Sequence, residues 1–94
     1  MEYELKQNLQ QILGKLKKRD KVAYDQVVKK IEEIVQSDPD SYKNLRNDLK
    51  PFKRVHIKGS FVSIFKYDKE RQLISFFDYG HHDSIYKKRY GAGI

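Results

Sequence analysis

This chain of 94 residues predicts an α+β fold, in which a helix hairpin is followed by an antiparallel sheet of three strands, with a fourth short strand possible ahead of the first helix. Three observations lead there. Apolar residues recur at helical spacing through the first 36 positions. From Lys53 onward the period drops to two, the repeat of a strand with one face packed and one solvated. Between these regimes stand Pro39 and Pro51, neither of which can continue a hydrogen-bonded ladder. The length suits one domain over residues 1–94 with one core.

Tyr3 and Leu5 alternate with Glu2 and Glu4, the pattern of a short edge strand, which sets the start of the first helix at about residue 7. Leu5, Leu9, Ile12, Leu13 and Leu16 then follow the i, i+4, i+7, i+8, i+11 positions of one helical face. A basic cluster, Lys15, Lys17, Lys18, Arg19 and Lys21, surrounds Asp20 where that helix ends, and cations there suit the helix dipole. A solvated loop accounts for the cluster as well. The second helix runs from about Asp20 to Gln36, with Tyr24, Val27, Val28, Ile31, Ile34 and Val35 on its apolar face. So tight a connection makes an antiparallel hairpin. Tyr42, Leu45 and Leu49 recur at helical spacing and predict a short helical turn before Pro51.

In residues 53–58, Val55 and Ile57 face one way while Arg54, His56 and Lys58 face the other. Gly59 and Ser60 supply a turn. Residues 61–67 and 73–79 are rich in aromatic and β-branched residues, and Asp68-Lys69-Glu70-Arg71 joins them as a hairpin. Phe61, Phe65, Phe76, Phe77, Tyr67 and Tyr79 are core at strand spacing, with room for one or two on an open face to stack bases. The last strand feeds into Gly80-His81-His82-Asp83-Ser84-Ile85-Tyr86, and residues 87–94 form a basic, then glycine-rich tail expected to be flexible.

The composition narrows the function. Cysteine is absent, so disulfides and thiolate metal sites are excluded. No apolar run reaches the roughly 18 residues of a membrane span, and the first residues lack a signal-peptide pattern, so a cytoplasmic protein is expected. Net charge is +7, and the excess is uneven: residues 1–50 carry eleven basic and nine acidic side chains, residues 51–94 nine and four. Positive charge concentrated in the half that holds the histidines favours a polyanion such as nucleic acid over a merely soluble basic surface.

Strand alternation puts Arg54, His56 and Lys58 on one face, and a segment returning beside that face would bring His81, His82 and Tyr86 near them. Cleaving RNA by internal transfer needs a base for the ribose 2′-hydroxyl, an acid for the leaving 5′-oxygen, and cations for the phosphorane. Imidazoles, titrating at about pH 6.5, suit the first two roles, and arginine or lysine the third, without a metal or other cofactor. Each residue also has a plainer role: His56 as a solvated strand residue, Asp83 as a residue that orients a histidine or caps a turn, and Tyr86 as a core tyrosine anchored by its hydroxyl. A divalent metal on His81, His82 and Asp83 is disfavoured because adjacent side chains usually point apart.

Arg54-Val55-His56-Ile57-Lys58-Gly59-Ser60-Phe61-Val62-Ser63-Ile64-Phe65, followed by Gly80-His81-His82-Asp83-Ser84-Ile85-Tyr86, resembles the RelE/ParE toxin superfamily of prokaryotic toxin–antitoxin modules. The resemblance implies a curved, mainly antiparallel sheet of three to four strands packed on the N-terminal helix hairpin. It also implies a ribosome-dependent endoribonuclease that cuts mRNA in the A site, with an antitoxin protein as partner. Carried onto this sequence, it makes Arg54, His56, His82 and Tyr86 the catalytic candidates, and the YafQ-like branch matches His56 and His82. Lys53, Lys58, Ser60, His81 and Lys87 are candidates for contacts to phosphate or RNA. Two positions depart from the family: Val62 stands where an arginine is common, and Ser60 where the YafQ-like pattern has an aspartate. A ParE-type toxin that binds DNA gyrase without catalysis, or a weakened homologue that binds only its antitoxin, is the alternative the same resemblance implies.

Overall fold

The computed structural model describes residues 2–38 and 52–87, Tyr86 by its backbone alone. The helical turn expected near residues 42–49 and the tail from residue 88 lie outside them. In chain order the elements are β1 (Glu2–Leu5), α1 (Gln7–Arg19), α2 (Lys21–Gln36), β2 (Phe52–Lys58), β3 (Phe61–Asp68), β4 (Leu73–His81) and α3 (His82–Lys87). The hairpin and the four strands agree with the sequence expectation, except that β4 runs two residues past its expected end at residue 79.

A single residue separates α1 from α2. Asp20 closes the first helix through its amide, which donates to the Leu16 carbonyl at 2.8 Å, and opens the second through its carboxylate, which accepts from the Ala23 amide at 3.1 Å. Lys17, Lys18 and Arg19 occupy the last turn of α1, where the helix dipole favours positive charge.

The sheet order is β1-β4-β3-β2, with β1 parallel to β4 and the other pairs antiparallel. The helix hairpin covers one face: Leu9, Leu13, Val27, Ile31 and Ile34 meet Val55, Phe65, Ile74 and Phe76 from the strands. Phe65 and Phe76 are fully buried, their rings 5.7 Å apart, and each such side chain contributes about 1.5–3 kcal/mol by leaving water. On the opposite face a smaller cluster joins Val62 and Ile64 of β3 to Ile85 of α3, with Phe52 alongside. Thus α3 folds back over the sheet face that the hairpin leaves open. Among the described residues, no helix is long and apolar enough to cross a membrane.

Two bulges break the two-residue period. Between β3 and β4, Ile64 pairs with Asp78 and Phe65 with Phe76, so Phe77 is an extra residue. Its ring reaches Phe52 edge-on at 5.2 Å. Between β2 and β3, His56 pairs with Val62 and Lys58 with Phe61, so Ile57 is extra.

Candidate functional site

The second bulge redistributes the cations of β2. Arg54 and His56 keep the face of α3, paired with Ile64 and Val62. Lys58 was expected beside them by strict alternation, but the extra residue sets it opposite Phe61 on the hairpin side. Lys53 pairs with Phe65 and so shares that hairpin side. His56 is exposed and Arg54 half-buried.

β4 delivers the histidines. Gly80 pairs with Val62, the partner of His56, so His56, Val62 and Gly80 form one cross-strand row. His56 and Gly80 are therefore two strand spacings apart, about 9–10 Å. His81 ends the strand opposite Phe61, and His82 begins α3. The junction is fixed by backbone and packing: the His82 amide donates to the Ser60 carbonyl at 2.7 Å, and Ile85 packs over Gly80, within 3.5 Å of where a β-carbon would lie.

His81, His82 and Asp83 form a compact cluster. The two imidazoles stack with centroids 4.6 Å apart. His82 Nδ1 lies 2.9 Å from Asp83 Oδ1, close enough for Nδ1–H to donate, while the Asp83 amide donates to His81 Nδ1 at 3.2 Å. The Nδ1 atoms of the two rings thereby have different partners, since that of His82 faces the Asp83 carboxylate and that of His81 accepts a hydrogen bond from the Asp83 amide. The Asp83 carboxylate lies against His82, the contact that an orienting role requires. Ligand atoms of the three residues lie within 4.8 Å of one another, so a divalent cation could draw on them, in competition with these hydrogen bonds. The α3 backbone places Tyr86 on the turn after Asp83, and exposed Lys87 closes the helix.

Two features of this region are not evident from the sequence pattern. Asp78 is fully buried on the sheet face of Arg54, the two flanking Ile64 in one row, with Oδ1 accepting from the Tyr79 amide at 2.8 Å. The signal was present, since a carboxylate within the aromatic run 76–79 needs a partner. The second is a groove of about 550 Å³ between the hairpin turn and the β2–β3 turn. Asp20, Val22 and Gln26 line it on one side, and Lys58, Phe61, Tyr79 and His81 on the other. Burial, with the Asp20 carboxylate adding to it, pushes the Tyr79 phenol above its ordinary value, so its hydroxyl stays protonated and neutral.

Val62, the departure from the superfamily pattern, has a structural reason. It is fully buried beneath Ile85, where a guanidinium would have no water.

A Methanocaldococcus jannaschii protein described as "Putative toxin RelE4" is 50% identical to this chain over 88 residues, which span 94% of this chain and 93% of that protein. A Methanosarcina mazei protein described as "Uncharacterized protein" is 36% identical over 83 residues, 88% of this chain and 95% of its own length. No family model matches, and no solved structure does.

Proposed function

This chain belongs to the RelE toxin family, and on that premise we propose that it is the toxin of a toxin–antitoxin pair and an endoribonuclease acting on mRNA in the ribosomal A site. The observation that carries the nuclease reading is the His81-His82-Asp83 cluster, held at the end of β4 next to the row that contains His56. A binding-only toxin has no use for an imidazole oriented by a carboxylate.

In this reading the ribose 2′-oxygen attacks the adjacent phosphorus, the 5′-oxygen leaves, and a 2′,3′-cyclic phosphate forms. One imidazole takes the 2′-hydroxyl proton and the other supplies a proton to the 5′-oxygen. His82 is the leading group: with Nδ1 directed at Asp83, proton transfer falls to Nε2, and the carboxylate stabilises the imidazolium. His56 is its partner, Arg54 stabilises charge on the phosphorane, and Tyr86 orients the 2′-hydroxyl. Lys58, Ser60, His81 and Lys87 contact the RNA around that centre, whereas Lys53, on the hairpin side opposite Phe65, stands apart from it. The other partner is an antitoxin protein, and the cytoplasm is where both would meet ribosomes.

Cleavage of ribosome-bound mRNA by the wild type and His82→Ala tests the assignment. A positioned acid or base contributes about 10²–10⁴-fold, and a loss of that size is expected. Equal rates would remove His82 from the mechanism. Inhibition of gyrase supercoiling with mRNA left intact would replace the nuclease by a gyrase-binding toxin.

A further inference from the structure

We propose that the groove between the hairpin turn and the β2–β3 turn is a nucleotide subsite, which takes one unpaired base of single-stranded RNA beside the phosphate to be cut. It deepens the nuclease reading and rests on it for the position of that phosphate, while the base binding is testable alone.

Three observations converge on a nucleotide as the occupant. First, Phe61 is 41% exposed although the four β3 residues that follow it are buried. It stacks on Tyr79 at 5.5 Å, the planes 24° apart, and meets His81 edge-on at 5.8 Å. Such a step of flat rings accepts a further flat ring, and base–aromatic stacking tolerates any base.

Second, cations flank the groove. The bulge brings Lys58 to one rim, and the exposed Lys17, Lys18 and Arg19 follow Leu16, which lines the other. The basic cluster at the hairpin turn thus stands beside the basic half of the chain, a charge arrangement that suits a polyanion crossing the groove and disfavours an apolar peptide. Asp20 is the one carboxylate among the lining residues, and it repels phosphate. It therefore places the backbone of the RNA toward Lys58 and leaves the Gln26 amide and its own free lone pairs facing a base edge.

Third, the groove opens onto the cluster already described. His81 lines it, and the His81 ring stacks on that of His82. A base seated on Phe61 lies one nucleotide from a phosphate presented to His82.

The test measures binding of a fluorescently labelled single-stranded RNA hexamer to the full chain by anisotropy, alongside cleavage of ribosome-bound mRNA. Phe61→Leu keeps the apolar volume and removes the flat face; its fold is checked by its urea midpoint. Affinity is expected to fall at least about fivefold, and the fall should vanish when the hexamer carries abasic residues. Gln26→Ala is expected to change the base preference beside the cut, and an unchanged preference removes Gln26 from the subsite. Unchanged affinity in folded Phe61→Leu, an equal loss with abasic RNA, or absence of base-dependent binding by the wild type overturns the subsite, even if cleavage still depends on His82. Conversely, Phe61-dependent base binding with mRNA left intact keeps the subsite and removes the nuclease.

Discussion

Replacing Val62 by arginine would restore the residue common in the superfamily, and the structure predicts that it weakens the protein instead of improving it. Val62 is 0% exposed, with Ile64 at 0% beside it and Ile85 at 1% above it. A guanidinium left there without water or a partner costs several kcal/mol. The chain has a cheaper escape, which is to lift α3. That helix has six residues, well short of the roughly 12–15 that an isolated helix needs, so docking is what maintains it. Lifting it forfeits the burial of Ile85, about 1.5–3 kcal/mol, and part of that of Ile64. The total loss is therefore capped at about 2–4 kcal/mol, out of about 5–14 for a chain of this length. Urea unfolding measures the loss, and amide exchange along residues 82–87 shows whether α3 has lifted. Cleavage is expected to fall, because His82 loses its anchorage. If the α3 amides stay protected and stability drops by less than about 1 kcal/mol, the reasoning is refuted.

Two further outcomes are expected. Gln72 sits in the turn before β4 with φ of 51°, so Gln72→Gly should raise the stability read by urea unfolding by up to about 1 kcal/mol, the relief of a left-handed conformation less the extra freedom glycine gives the unfolded chain. The Ser75 hydroxyl and then the Lys6 ammonium hold the Glu4 carboxyl below its ordinary 4.5. A lowered carboxyl contributes stability that is present above the unfolded value and lost as pH falls through the folded one, so Glu4→Gln should flatten the stability curve below pH 4.5, read by thermal unfolding.

The helices were legible because their apolar positions repeat with a local period: Leu9 and Leu13, and Val27, Ile31 and Ile34, are buried as spacing required. So was β1 as a strand, but its parallel pairing with β4 was not, since four alternating residues say nothing of the strand they will meet. The bulges were equally invisible. A count by twos has no place for an inserted residue, which is why Lys58 was expected beside His56 and stands opposite Phe61. At the candidate site, the residue types of His81, His82 and Asp83 were readable, and the different contacts that Asp83 makes with the two rings were not. The groove lay outside any linear pattern, because its two walls are between 32 (Gln26 to Lys58) and 65 (Leu16 to His81) residues apart and meet only when the hairpin lies on the sheet.

The pairing of β1 with β4 bears on how the protein is made. Residues 2–5 leave the ribosome 71 residues ahead of their partners, residues 73–76. The helix hairpin, whose contacts are local, forms early, but its apolar face waits for strands still to be synthesised. The strand that ends in His81 and leads into His82 is also the one that pairs with both β1 and β3. A nascent chain therefore acquires its candidate chemistry and its finished fold in the same late step, and a truncated product would lack both.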